Sequence, residues 1–115
     1  MTDREMLELA AKAAGYTVEW HEVVVSRRGR FGLIEHTKKE GFRLNFQRWD
    51  PLTDDGDALR LAVKLELEVS LGQFGTIIYS GCGKVEEIGE DGCDEMALCR
   101  RAITRAAAEI GKDMQ

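Results

Sequence analysis

Polar and apolar positions change period several times along this chain, and each change marks an element. Met6, Leu7, Ala10 and Ala14 recur at helical spacing. Thr2 and Glu5 ahead of them have the spacing of a capping box, and Gly15 behind them supplies a left-handed stop. This first helix carries few large apolar side chains, so it is expected to dock on a sheet. Thr17 to Ser26 is rich in Val and Trp, which suit a pleated surface. Arg27-Arg28-Gly29-Arg30 reads as a turn, Phe31 to His36 as a returning strand and Thr37 to Gly41 as a polar loop. Phe42, Leu44 and Phe46 then alternate with Arg43, Asn45 and Gln47, predicting a third strand with one buried and one wet face.

Asp50-Pro51 closes the meander, because the residue before proline avoids helical geometry. Thr53, Asp54 and Asp55 offer cap oxygens to a helix over about Asp55 to Leu65. That helix buries Ala58, Leu61, Ala62 and Leu65, with Leu59 and Val63 flanking, and should be well covered. Past Leu65 the period returns to two: Leu67, Val69 and Leu71 begin a strand. Gly72 and Gly75 bracket a turn, Thr76 to Ser80 forms another strand, and Lys84 to Ile88 a short edge strand. Asp91-Gly92 opens the last loop. A final helix carries Met96, Cys99, Ile103, Ala106 and Ile110 on one stripe, with Arg101, Arg105 and Glu109 opposite, and Gly111 ends it.

Helices with one apolar stripe must bury it, and a sheet is the natural partner. The expected fold is α+β, a three-layer α-β-α sandwich with a mostly antiparallel sheet and helices packed on its faces. At 115 residues it is expected to be one domain.

Composition narrows the picture. An apolar fraction of 43% supports a packed interior, so the disordered class is excluded. No apolar run approaches the roughly 18 residues of a membrane span. Met1-Thr2-Asp3-Arg4-Glu5 does not open a secretory signal, and the expected location is the cytoplasm. Cys82, Cys93 and Cys99 are odd in number and have no paired spacing, which fits reduced thiols.

The net charge of −5 is unevenly spread. Between Arg27 and Arg48 stand seven basic residues (Arg27, Arg28, Arg30, Lys38, Lys39, Arg43 and Arg48) against Glu35 and Glu40. The remainder holds 9 basic and 19 acidic residues. The seven cations are the candidate contact set for a nucleic acid or a protein partner, with Phe31, Trp20 or Trp49 as stacking surfaces for bases. An acidic protein argues for the protein partner.

Chemistry-bearing motifs fail one by one. Asp50, Asp54, Asp55 and Asp57 could attract a hard cation, but the EF-hand order is missing and capping alone explains the spacing. His21, His36 and the cysteines lack the paired spacing of a zinc site. Gly81-Cys82-Gly83-Lys84 is followed by Val85 and a strand, not by Ser or Thr and a helix, so it is no phosphate loop. A nucleophile pair built on Cys82 has no group to orient its base. No cofactor, metal or catalytic residue is expected.

Two stretches carry a resemblance. Trp49 to Leu65, WDPLTDDGDALRLAVKL, and Arg100 to Met114, RRAITRAAAEIGKDM, together 32 of 115 residues, look like the signature segments of the phage ABA sandwich domain family. Asp50 stands where that family's pattern has Asn, and both residues suit a turn before proline. The resemblance implies an α-β-α fold and a phage or prophage origin, and implies no reaction. Val18 to Gln47 lies outside it. The expected protein is therefore a non-enzymatic phage or prophage accessory factor acting through protein contacts, a second copy of the chain included. A nucleic-acid module built on Arg27–Arg48 is the alternative.

Overall fold

A computed structural model describes residues 1–72, 75–80, 83–89 and 94–114. The elements run α1 (Asp3–Ala14), β1 (Glu19–Arg28), a 3₁₀ turn (Arg30–Gly32), β2 (Ile34–Leu44), β3 (Gln47–Trp49), α2 (Asp55–Lys64), β4 (Glu68–Gly72), β5 (Gly75–Ser80), β6 (Gly83–Ile88) and α3 (Glu95–Asp113). The class is α+β with antiparallel sheets and helices packed against sheet, as the periodicity predicts. The strands fall into two three-stranded sheets, ordered β1-β2-β3 and β4-β5-β6. The chain divides into two compact units: Met1–Thr17 with Asp50–Gln115, and Val18–Trp49.

The first unit is built around α3. Its buried residues Ala102, Ile103, Thr104, Ala106, Ala107, Ala108 and Gly111 go nearly all round the helix, which is the signature of a central helix rather than a covering one. Thr104 satisfies its buried hydroxyl by donating to the Arg100 carbonyl at 2.8 Å. The sheet β4-β5-β6 presents Thr76 and Ile78 of its middle strand as buried residues, and α3 packs against β5 and β6. Arg105 ties the helix to β6 through the Glu86 carbonyl at 3.3 Å and the Glu87 carboxylate at 2.9 Å.

Both ends of α1 are made as its sequence requires. Thr2 accepts from the Glu5 N–H at 3.2 Å, and Gly15 closes the helix with φ 74°. Met6, Leu7, Ala10, Ala11 and Ala14 are buried. Their main partner is α3 rather than a sheet, because small side chains on both helices allow close approach. Gly111 marks the crossing. It does not end α3, which continues to Asp113; a Cβ at Gly111 would run into the backbone carbonyl of Leu9. Met96, expected on the buried stripe, is exposed.

Asp54 caps α2, accepting from the Asp57 N–H at 3.0 Å. Ala58, Leu61 and Ala62 are buried as expected, but Leu59 and Val63 are 64% and 70% exposed, so this helix is covered on one side only. Among the described residues no helix is long and apolar enough to cross a membrane. The predicted Asp91-Gly92 loop lies outside the described residues.

Candidate functional site: a two-stranded ribbon

The second unit is an antiparallel ribbon. Ten consecutive pairs run from Glu19↔Arg43 to Arg28↔Ile34 with no bulge. Thr37–Gly41, read from sequence as a loop, is the middle of β2. The error has a physical cause: β1 and β2 are exposed on both faces over most of their length, so no alternation of apolar and polar residues marks them. The third strand is also shorter than its alternation suggests. β2 runs through Leu44, Asn45 and Phe46 form a two-residue turn, and β3 begins at Gln47. Both turn residues have positive φ, 52° and 67°, as the hairpin turn that matches strand twist requires. Phe46 is 95% exposed and has no buried face.

Alternation divides the seven candidate cations between two faces. Arg27, Lys39, Arg43 and Arg48 share one face with His21, Val23 and Val25. Arg28 and Lys38 lie on the other with Trp20, Val24 and Phe42, and Arg30 sits at the ribbon's tip. No single patch unites them. Gly41, opposite His21, leaves a shallow trough of about 230 Å³ on the first face, lined by His21, Val23, Val25, Lys39, Arg43 and Arg48 among others.

Several of these charges are already engaged. Lys38 lies 3.3 Å from Glu40 and 3.7 Å from Glu22, and the Glu40 hydrogen bond, followed by the Glu22 charge, pushes its pKa up. Glu22 and Glu40 are cross-strand partners, so Lys38 relieves a like-charge pair that would otherwise oppose the register. Arg27 lies 3.8 Å from Glu35, and Arg43 donates to the Phe46 carbonyl at 3.3 Å. The acids Glu19 and Glu22 of β1 lie outside the basic stretch in sequence but beside it in the ribbon, and they dilute it. The stacking surfaces are engaged too. Trp49 is buried, and Trp20 meets Phe42 edge-on with centroids 4.9 Å apart. Phe31 alone of the three stands wholly exposed.

The ribbon's exposed apolar residues form the feature that charge counting missed. Val23, Val24 and Val25 are exposed, as are Leu33 and Ile34 nearer the tip. A hydrophobic run of three in the middle of β1 was visible in the sequence. Val suits a pleated surface whether that surface is covered or wet, so the run marks a strand without telling its exposure.

The acidic cluster at the start of α2 has separate structural duties. Asp50 accepts from the Leu52 N–H at 3.1 Å, and Asp54 caps the helix. Asp57 accepts from the Asp50 N–H at 3.0 Å and from Arg60 at 2.8 Å, and is only 8% exposed. Asp55 meets Arg100 at 2.6 Å, while Arg100 Nε donates to the Leu52 carbonyl at 2.9 Å. These bonds tie the start of α2 to α3. Among the described residues no group of three or more His, Cys, Asp or Glu side chains is placed to hold a metal ion. Cys99 is half-buried, and burial, then the Asp55 charge, pushes its thiol pKa up. Cys82 and Cys93 lie outside the described residues, as does most of the Gly81-Cys82-Gly83-Lys84 stretch's turn.

The chain matches no protein-family model, no curated protein and no solved structure.

Proposed function

We propose that this chain is a non-enzymatic accessory protein of phage or prophage origin that works through protein–protein contacts, with the β1-β2 ribbon as its contact surface. The observation that carries the reading is the exposed valine run Val23–Val25 on a ribbon wet on both faces. A two-stranded ribbon is marginal in water by itself, and apolar side chains exposed on both of its faces favour association. The phage or prophage context rests on the resemblance of Trp49–Leu65 and Arg100–Met114 to phage ABA sandwich segments. The ribbon, Val18–Trp49, nearly coincides with the segment outside that resemblance, where a function particular to this chain is expected.

The test compares the wild-type chain with a variant carrying Val23→Ser, Val24→Ser and Val25→Ser. Light scattering at high concentration and affinity capture from a host lysate should both show association that the variant loses. A wild-type chain that stays monomeric and recovers no protein in a valine-dependent way removes the reading.

A nucleic-acid reading draws on one observation, the shared face of Arg27, Lys39, Arg43 and Arg48. It requires binding of DNA or RNA that weakens steeply with salt and falls when Arg27, Lys39 and Arg43 become Ala. Unchanged mobility of both nucleic acids at low salt excludes it.

A further inference from the structure

We infer that the free edge of β1 pairs with β1 of a second copy, antiparallel and centred on Val24, joining two ribbons into one sheet. The inference rests on the ribbon being a protein-contact surface and names its occupant. Three features of the ribbon lead to it.

The first is which backbone groups face outward. Gly29 N–H donates to the Leu33 carbonyl at 2.7 Å, in line with the β1–β2 register. Antiparallel strands alternate the direction of their backbone groups, so odd-numbered residues of β1 turn theirs toward β2. Val24, Ser26 and Arg28 therefore turn N–H and C=O away from β2, and β1 is the terminal strand of its sheet. A two-fold axis through Val24 sets even residues against even ones, so outward groups meet outward groups.

The second is the contrast between the two edges. Natural edge strands are guarded by charge, proline, bulges or brevity. Beyond the reach of β3, the free stretch of β2 carries Glu35, Lys38, Lys39 and Glu40, a charged guard. β1 is ten residues long and has no bulge, and its centre is Val23-Val24-Val25. One edge is closed to addition and the other open, which limits assembly to a closed pair rather than a growing sheet.

The third is self-complementarity. With Val24 on the axis, Val24 faces Val24 of the second copy, and Val23 and Val25 each face the other's counterpart. Three valine pairs then stack on the two faces. Glu22 falls diagonal to Arg28 of the second copy, and Arg28 comes opposite its Trp20, so opposite charge and a cation over an aromatic ring flank the valines at both ends.

Val24→Pro is the sharpest test. It removes an N–H that points away from β2 and leaves the ribbon's own ladder intact, and an edge strand tolerates proline's φ. Val24→Glu is the companion variant, since it keeps the backbone, faces Lys38 within its own ribbon and sets two carboxylates face to face across the pair. Sedimentation equilibrium at concentrations up to the order of 100 μM should show a wild-type dimer. Each variant, checked for retained fold by far-ultraviolet circular dichroism, should raise the dissociation constant by about a hundredfold, since two hydrogen bonds are lost and two carbonyls stranded in the proline case. Val24→Ile should leave it unchanged. A monomeric wild-type chain overturns the pairing, as does a dimer insensitive to both variants. If that monomer still captures a different protein through Val23–Val25, the contact-surface reading stands and the self-pairing alone falls.

Discussion

Replacing Gly111 with Ala sets two physical effects against each other, and the structure says which wins. Alanine in a helix interior is favoured over glycine by about 1 kcal/mol, so propensity alone predicts a more stable protein. Gly111 lies within α3, and a Cβ there meets the backbone carbonyl of Leu9 in α1. A backbone atom inside a helix cannot swing aside as a side chain can. The two helices must separate along a contact lined by Ala10, Ala11, Ala14, Ala106 and Ala107, all buried. Overpacking of this kind costs about 1–3 kcal/mol, and a rigid obstacle puts it at the upper end. The net loss is about 2 kcal/mol, which for a chain of this length lowers the melting temperature by about 8 °C. Thermal unfolding followed by far-ultraviolet circular dichroism measures it. Gly111→Asn separates this account from the helix-stop reading of the same residue. A left-handed stop accepts Asn with little loss, whereas a close helix crossing rejects it more strongly than Ala. An unchanged or raised melting temperature for Gly111→Ala refutes the close crossing.

Three further outcomes follow from single sites. Phe46→Gly should raise stability by about 1 kcal/mol in urea titration, because Phe46 holds a positive φ and buries nothing; a loss would show a contact at that turn. Asp57→Ala should cost about 2 kcal/mol by the same titration, since it takes the acceptor from the Asp50 N–H in a part-buried turn, and Asp57→Asn should recover part of it. Cys99 should react with iodoacetamide more slowly than an unstructured thiol near pH 8, by peptide mass mapping, and at the unstructured rate in denaturant. Its folded pKa is raised, so the folded chain holds that proton more tightly; the neutral thiol's contribution is complete below the ordinary thiol range and is lost as pH rises through the folded value. A native rate equal to the denatured one contradicts the burial.

Local signals were legible wherever a short run decides its own structure. Thr2, Gly15 and Asp54 cap helices because a side-chain oxygen or a left-handed glycine acts on backbone groups within three residues. Val69, Thr76 and Ile78 sit in a sheet with one covered face, and alternation reveals such strands. The ribbon hides from the same test, since a strand wet on both faces has no period to read: Lys38 and Lys39 look like a loop and lie in mid-strand. Phe46 misleads in the opposite way, continuing an alternation into a turn where nothing is buried. Gly111 resembles a stop because the partner that demands a glycine, Leu9, is about a hundred residues away in sequence. The dilution of the basic stretch in the assembled ribbon has the same origin, for Glu19 and Glu22 come beside the cations only when β1 pairs with β2.

If the outward edge of β1 is where a second copy pairs, residue-resolved amide exchange reads that pairing directly. The Val24 and Ser26 amides should exchange freely in dilute protein and become protected as concentration rises, while Val23 and Val25, whose amides face β2, should change far less. Equal and rapid exchange of Val24 and Ser26 at every concentration would contradict it.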